Sequence, residues 1–360
     1  MQKDEKIAVG KAILAAALFG ISAPFSKILL EEIPAALMAA LLYLGAGIGM
    51  SFVQGAAYLY KKEPLEAKLV RKDLPYTVAM VLLDVLAPVF LMLGLSTTSA
   101  ASVSLLNNFE IVATALIAGI FFREPLGKRM WGAIAVITAA SMLLSFEDVS
   151  KLSFSLGSIF VLLACLCWGM ENNCTRMLSL KNPLEIVIIK GFGSGFGALL
   201  LFLFIENREG IPYLTGFSSV YYCIAAMLLG FVAYGLSIFF YISAQRYLGA
   251  ARTSAYYAVA PFIGVALSIA FFSEHLPQRF WVAVLLMIVG TYLTTVEKHT
   301  HIHKHQTMGH THKHTHTDGH HNHVHEGDGE LVHSHYHMHE AMEHTHKHKP
   351  DMHHRHAHEC

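Results

Sequence analysis

Charged residues are scarce in this sequence and long polar faces are missing from most of it. Asp, Glu, Lys and Arg make up 14% of the 360 residues, apolar residues make up 54%, and the formal net charge is zero. Before Glu297, apolar runs recur at about the 20 residues that a helix needs to cross a bilayer. A soluble helical protein would show helices with one polar side. The sequence therefore predicts an all-α membrane protein whose helices satisfy their own backbone hydrogen bonds in lipid.

Histidine is absent before His275, although the chain contains 24 histidines. No predicted span therefore carries the paired His and Asp ligands typical of a dedicated transition-metal path. The five cysteines do not form the framework of a disulfide-rich secreted protein. The sequence shows no recognisable combination of a nucleophile, a general base and an oxyanion hole, so we expect no enzymatic activity. We also expect no nucleic-acid partner. The start of the chain has no small-residue cleavage site, which predicts a retained first helix.

The apolar runs divide into ten predicted membrane helices. They cover 7–30, 35–60, 74–96, 98–122, 130–146, 157–178, 184–206, 219–245, 251–272 and 279–296. The weakest division is 94–102, where helices three and four could be almost continuous.

Loop charges predict the orientation of these helices. Basic residues in short loops favour the cytoplasmic side, and one set of loops carries most of them: Lys61, Lys62, Lys68, Arg71, Lys72, Arg123, Lys128, Arg129, Arg176, Lys181, Arg246 and Arg252. The opposite set has only Lys151, Arg208 and Arg279. We therefore predict an inner or plasma membrane protein with both termini in the cytoplasm.

One stretch of sequence occurs twice. FFREPLGKRMW at 121–131 matches FFSEHLPQRFW at 271–281 after a shift of 150 residues. Such self-similarity predicts two homologous halves. Each half has five spans, an odd number, so the halves must enter the membrane in opposite orientations, as in many secondary transporters. The predicted domains are residues 1–148 and 149–297, each a five-helix repeat, and a tail at 298–360.

These features resemble the drug/metabolite transporter superfamily, specifically its EamA-type ten-helix members. The resemblance is carried by the aromatic-Gly turn in helices one and six and by the Ser/Ala-rich entry to helices four and nine. An elbow before helices five and ten, Arg123-Glu124 and Ser273-Glu274, completes it. The resemblance implies transport of a small molecule. Helix nine keeps a mid-helix proline, Pro261, where helix four has Glu110 close to the equivalent position.

Two carboxyl groups are predicted to lie at mid-membrane depth. Glu110 is near the centre of helix four, beside Asn107 and Asn108, and Asp84 is near the middle of helix three. A charge at this depth is costly, so such residues are functional candidates. We predict that Glu110, and with weaker support Asp84, binds a substrate amine or a coupling proton. The alternative is that both are protonated or hydrogen-bonded packing groups.

Three prolines are predicted to break their helices: Pro24, Pro88 and Pro261. Proline has no N–H, so the carbonyl four residues earlier loses its helical donor and the helix bends. Broken helices at the midplane are where secondary transporters hold substrates and ions.

Further polar candidates lie on helices six, eight and nine. Glu171, Asn172 and Asn173 form a polar cluster in an apolar run, and Tyr234 and Tyr257 could line the same cavity. Packing and interhelical hydrogen bonding are the alternatives. Lys27, Arg176 and Lys190 lie near predicted helix ends, and we expect their side chains to reach the headgroups. Glu124 and Glu274 are expected to be structural.

The tail beyond Glu297 holds 23 of the 24 histidines, in alternating clusters. It is too polar to fold alone and is predicted to be disordered without metal. Neutral imidazole binds Zn, Ni, Co or Cu, although no cofactor is expected to be required. The predicted metal ligands are His299, His301, His303, His305, His310, His312, His314, His316, His320, His321, His323, His325, His333, His335, His337 and His339.

The residues lead to one main functional hypothesis and two alternatives. The first is a secondary transporter of a small metabolite or other small organic solute that works by alternating access, with a cytoplasmic metal-binding tail. The second is a transporter of divalent transition metal, or a solute transporter that metal regulates. The third is a membrane-anchored metal store or sensor, for which ten spans are more than an anchor needs.

Overall fold

A computed structural model gives the fold of the chain. It describes residues 3–59, 69–121, 126–148, 153–178, 181–206, 217–272, 276–295, 300–305, 308–314, 333–339 and 342–347. The predicted elbow glutamates Glu124 and Glu274 lie outside these residues, as do His299, His316, His320, His321, His323 and His325.

Helices make up almost all of the described part of the chain before residue 296. They are α1 (Lys3–Gly20), α2 (Ser22–Leu29), α3 (Ala35–Leu59), α4 (Leu74–Thr97), α5 (Ala100–Leu106), α6 (Phe109–Phe121), α7 (Lys128–Ser145), α8 (Leu156–Met177), α9 (Pro183–Glu206), α10 (Phe217–Gly230), α11 (Ser237–Tyr257), α12 (Ala260–Phe272) and α13 (Gln278–Thr295). A 3₁₀ turn at Arg71–Asp73 precedes α4, and a π-helical segment at Phe231–Leu236 joins α10 to α11.

Seven helical stretches in the described residues are long and apolar enough to cross a membrane. They are Lys6–Leu29, Ala35–Ala57, Arg71–Thr97, Ala100–Phe121, Leu156–Met177, Pro183–Phe204 and Val220–Ala244. Two shorter apolar helices, Ala260–Phe272 and Gln278–Thr294, coincide with the predicted ninth and tenth spans. The predicted all-α membrane fold is confirmed.

The structure agrees with the predicted division of helices three and four and differs from the prediction after helix eight. Thr98 and Ser99 separate α4 from α5, because the Ser99 hydroxyl accepts a hydrogen bond from Ser102 N and caps the new helix. The predicted boundary between residues 96 and 98 therefore lies close to the observed break, and the alternative of an almost continuous helix does not hold. Conversely, α11 continues through 246–250, where a loop was predicted, since Arg, Leu and Ala in this stretch favour helix.

Three predicted spans are interrupted near their middle. Helix one is interrupted at Ile21, helix four at Asn107 and Asn108, and helix nine at Ala258 and Val259. The predictions for Pro24 and Pro261 agree with the first and third interruptions. At Pro88, α4 continues without interruption, and the bend predicted there stays a prediction.

Helix packing reflects the two halves of the sequence. α1 packs on α11 and α4 packs on α8, which are the same contact after exchange of the halves. The pairs α3 with α9, α5 with α12, and α7 with α13 each join equivalent helices. Where α3 crosses α9, a Cβ on Gly191 would collide with the backbone of Gly47, so glycine permits this close crossing.

Tryptophan positions also follow the repeat. Trp131 on α7 and Trp281 on α13 occupy equivalent places in the repeated stretch, and their exposed fractions are 55% and 51%. Trp168 on α8 is 7% exposed and lies in the core. The α7–α13 pair therefore presents an apolar aromatic surface on the outside of the bundle.

Short strands occur outside the helical bundle. β1 (Phe146–Asp148) pairs with β2 (Ser153–Phe154) between α7 and α8. In the tail, β3 (Thr300–His305) pairs with β6 (Met342–Lys347), and β4 (Met308–His314) pairs with β5 (His333–His339), both antiparallel. The alternation of His with Thr and other residues in the tail is suited to such backbone pairing.

Candidate functional site

A buried ion-pair network lies at the centre of the bundle. The Lys190 Nζ atom on α9 is 2.8 Å from Glu171 Oε1 on α8 and 3.1 Å from Asp84 Oδ2 on α4. The three side chains are 6%, 3% and 0% exposed. Asp84 belongs to the first half of the chain and Lys190 to the second, so the network joins the two halves.

Hydroxyl groups complete this network. The Tyr43 hydroxyl on α3 donates to Asp84 Oδ1 over 3.0 Å. Thr175, one helical turn beyond Glu171, donates its hydroxyl to Glu171 Oε1. The predicted mid-membrane carboxyl of Asp84 is therefore bonded from both halves of the chain, which fixes its position.

Glu110 has a different environment. It lies in the first turn of α6, just after the interruption at Asn107 and Asn108. The Asn172 amide donates to Glu110 Oε1 over 2.6 Å, and a second contact from this amide reaches Thr114 Oγ1 at 3.4 Å. An amide is a neutral donor, so this bond leaves the charge of the Glu110 carboxylate uncompensated.

The two carboxyl sites are linked through α8. Glu171 and Asn172 are consecutive, so one directs its side chain to Lys190 and the other to Glu110. Asn173 is bonded within the packing, because its amide donates to Gly169 O at 2.8 Å and Thr114 O at 3.1 Å. Of the predicted α8 cluster, Glu171 and Asn172 thus face the polar centre and Asn173 stabilises the helix contact.

The two asparagines of helix four separate in the same way. The Asn108 amide donates to Leu105 O, and its side-chain oxygen accepts from Thr291 on α13 at 3.5 Å. Asn107 instead lines a cavity of about 10 Å³ between α1, α5 and α12, together with Gly20, Pro261 and Gly264. The structure therefore gives Asn108 a packing contact and places Asn107 beside open space.

Aromatic rings surround the polar centre. The Phe19 ring lies 6.5 Å from that of Trp168 and 5.8 Å from those of Tyr234 and Tyr257. Tyr234 also contacts the Tyr43 ring at 5.3 Å. The predicted tyrosines Tyr234 and Tyr257 therefore do lie together, in one aromatic cluster with Phe19.

The sequence-based interpretation of Lys190 is wrong. Its position near a predicted helix end suggested a side chain that reaches the headgroups, yet the structure buries it between two carboxyl groups. Lys27 donates to the carbonyls of Leu95 and Thr98 at the end of α4, at 2.6 and 3.0 Å. Arg176 is exposed.

Sequence reasoning also missed Tyr43, Thr175 and Phe19. Tyr43 and Phe19 lie in apolar runs where an aromatic residue is most often packing. The one available signal was for Thr175, since it aligns with Ser26 across the repeat.

Formal charge is unbalanced in this interior. Asp84 and Glu171 are buried carboxyl groups, and Lys190 is the buried amine between them. Glu110, bonded to the residue that follows Glu171, is a half-buried third carboxyl group. Buried carboxylates without enough cations must gain protons or cations. Among the described residues, no three His, Cys, Asp or Glu side chains are grouped so that they could hold a metal ion. The polar centre can therefore exchange small cations or protons, or bind a group that carries positive charge.

Comparisons with known proteins agree with this architecture. The chain is 26% identical over 301 residues to an uncharacterized transporter of Methanothermobacter thermautotrophicus, which covers 78% of this chain and 84% of that protein. It is 25% identical over 227 residues to an uncharacterized solute carrier family 35 member of Schizosaccharomyces pombe. That match covers 58% of this chain and 42% of the yeast protein, so less than half of the latter is spanned.

A protein of known crystal structure has the same fold, with a TM-score of 0.54 and 16% identity over 82% of this chain and 98% of the other. The profile of the EamA-like transporter family matches residues 6–146 and again 155–296. The two family matches together cover most of the chain, and its helices pack as equivalent pairs. The chain therefore belongs to the EamA-like transporter family.

Proposed function

We propose that this multi-pass membrane transporter moves a small metabolite or other small organic solute by alternating access. The two halves, 1–148 and 149–297, would rock against each other in the cell membrane with both termini in the cytoplasm. The single observation that carries this proposal is the polar centre, which is buried where the halves meet and contains more carboxyl groups than amines.

Glu110 is the residue that we propose to meet the solute or a coupling proton. Its carboxylate has a neutral amide partner, Asn172, whereas Asp84 and Glu171 share an amine. A half-buried carboxylate within the membrane that is held only by a neutral group favours a proton or a substrate ammonium. Asp84 and Tyr43 then position the two halves, and the aromatic cluster around Phe19 supplies an apolar wall.

The test compares Glu110→Gln with Glu31→Gln, because Glu31 is exposed and its side chain makes no comparable contact with any residue that the structure describes. Cells that produce the wild type, either variant, or no transporter are profiled for internal and external metabolites by mass spectrometry. We expect a set of solutes to change with the wild type and with Glu31→Gln. Glu110→Gln should be present in the membrane at wild-type level and should abolish that change. A normal profile with Glu110→Gln would contradict the role of this carboxylate.

A second function, regulation by or transport of a divalent transition metal, has one structural observation in its favour. The register places His310, His312 and His314 of β4 opposite His337, His335 and His333 of β5. Alternating histidines in paired strands bring metal-ligating residues into register on two strands. We propose that the tail binds Zn²⁺ or Ni²⁺ as a regulator of the transporter.

Deletion of residues 299–360 tests the tail. We expect the truncated protein to lose Zn²⁺ and Ni²⁺ binding in equilibrium dialysis and to keep its solute profile at low metal concentration. Metal added to the full-length protein should change the rate of solute transport. Equal rates with and without metal would limit the tail to incidental binding, and loss of metal tolerance on deletion would favour metal as the cargo.

A further inference from the structure

The two halves of the chain differ at one pair of equivalent junctions. After the 150-residue shift that relates the two elbows, Thr98 and Ser99 correspond to Leu248 and Gly249. The backbone is extended at Thr98 and Ser99, with ψ angles of 159° and 143°, and separates α4 from α5. Leu248 and Gly249 lie inside α11, which is helical throughout. Equivalent positions therefore form a break in one half and a helix in the other.

A cation holds the broken junction. The Lys27 amine on α2 donates to Leu95 O over 2.6 Å and to Thr98 O over 3.0 Å. A third carbonyl, Ser96 O, is 3.4 Å from the same amine. Carbonyls in the last turn of a helix have no intrahelical donor and carry partial negative charge, so an amine stabilises them. The bonds of Lys27 therefore depend on α4 ending at this point.

The second half has a cation in the equivalent place. Arg176, in the last turn of α8, aligns with Lys27 after a shift of 149 residues, and it is exposed. The carbonyls equivalent to those of Leu95 and Thr98 belong to residues 245 and 248 of α11. Inside a helix, each carbonyl accepts from the N–H four residues later. A break after Leu248 would give Arg176 the kind of acceptors that Lys27 has.

Helix packing differs between the halves by about one turn. Gly45 on α3 and Gly193 on α9 are equivalent after a shift of 148 residues. A Cβ on Gly45 would collide with Met227 O, whereas a Cβ on Gly193 would lie 2.9 Å from Val81. The position equivalent to Val81 is Phe231, four residues beyond Met227. A second pair repeats this offset: Gly49 meets Phe231, and Gly197 meets Val85.

This offset indicates two arrangements of one helix pair. A displacement of one helical turn between packed helices is a known step of conformational switching. The halves have matching sequence patterns, so each is able to adopt the arrangement that the other shows. Gly249 favours such a change, because glycine weakens a helix interior and is tolerated at the residue before a helix. Its equivalent, Ser99, is the N-cap of α5.

We propose that Lys27 and Arg176 are alternating latches, each of which binds the end of a neighbouring helix in one state of the transporter. In the structure, Lys27 holds the break between α4 and α5, and α11 is continuous. In the opposite state, α4 joins α5 and Lys27 loses its acceptors, while α11 divides at Gly249 and Arg176 binds the carbonyls set free. Helices one and six run in opposite directions, so the two latches lie at opposite membrane faces. This inference rests on the alternating access proposed above.

Hydrogen–deuterium exchange of the purified full-length protein in lipid nanodiscs tests the latches, without any solute. The amides of 249–252 are inside α11, and a break would free them because the first N–H groups of a helix have no intrahelical acceptor. The amides of 98–101 should change in the opposite sense. Lys27→Gln should raise exchange at 249–252 by roughly tenfold, the loss expected for one bond to a charged group, and should lower exchange at 98–101.

Arg176→Gln distinguishes a latch from an ordinary structural contact. Loss of a structural contact would raise exchange nearby, whereas loss of the second latch should lower exchange at 249–252. Gly249→Ala should lower exchange there as well, because alanine favours the continuous helix. Lys27→Arg keeps a cation and should keep the wild-type pattern.

Arg71→Gln is the matched control for loss of charge. Arg71 is exposed in the 3₁₀ turn before α4, at the opposite end of this helix from Thr98. The variant should change exchange at neither junction.

Unchanged or faster exchange at 249–252 in Arg176→Gln, or an effect of Lys27→Gln confined to 98–101, would overturn the inference. Because no solute is present, either result leaves the transport proposal intact. The metabolite profile with Glu110→Gln tests that proposal separately.

Discussion

Replacement of Lys190 by methionine should strongly destabilise the protein. The substitution keeps the length of the side chain but removes the amine that lies 2.8 Å from Glu171 and 3.1 Å from Asp84. All three side chains are at least 94% buried, so water cannot replace the lost partner. Removing one member of a buried ion pair costs about 3–5 kcal/mol.

Lys181 provides a matched control. Its amine is 2.8 Å from Asp73 Oδ2, a similar distance, but the two side chains are 18% and 17% exposed. Pairs that water can reach contribute about 0–1 kcal/mol. Lys181→Met should therefore change the free energy of unfolding far less than Lys190→Met.

The assay is denaturation in mixed detergent and SDS micelles, followed by circular dichroism. In the double variant Asp84→Asn with Lys190→Met, the loss of unfolding free energy should be smaller than the sum of the two single losses by about 0.5–3 kcal/mol, since the two residues share one interaction. Equal destabilisation by Lys190→Met and Lys181→Met would refute the argument that burial controls the cost.

Two other predictions concern packing and helix division. Gly191→Ala should destabilise the bundle by about 1–3 kcal/mol, because its Cβ would collide with the backbone of Gly47. Gly55→Ala is the control, since a Cβ there would meet nothing within 4 Å. In the same denaturation assay it should be neutral or slightly stabilising. Ser99→Ala should lower stability by about 1 kcal/mol through loss of the bond from Ser102 N; no change in the unfolding midpoint would show that the cap does not divide α4 from α5.

The helical fold could be predicted from sequence because apolar length is a local property. The ends of most helices lie within a few residues of the prediction, and the repeated elbow gave the equivalence of the halves. The division of helices three and four was predicted to within a few residues, but the Ser99 cap was not, because it depends on one side-chain bond. The continuation through 246–250 was not predicted, because Arg246 and Arg252 were counted as loop charges.

The site was predicted only in part, since sequence does not show which helix faces which. Glu110 and Asp84 stood out as carboxyl groups in apolar runs; Asp84 is buried in the polar centre, and Glu110 is half-buried beside it. Lys190 was misassigned because its distance from a helix end says nothing of its neighbours. Tyr43 could not be distinguished from a packing residue, because its bonding partner Asp84 lies on another helix and 41 residues away in the sequence.

The three tryptophans give the protein a built-in set of optical probes. Trp131 and Trp281 are the half-exposed pair on α7 and α13, and Trp168 is the buried one beside Phe19. Indole emission depends on the polarity of its surroundings, and brominated lipids quench only rings that they touch. Single-tryptophan versions would thus read the lipid contact of each half and the closure of the core independently, without any attached dye.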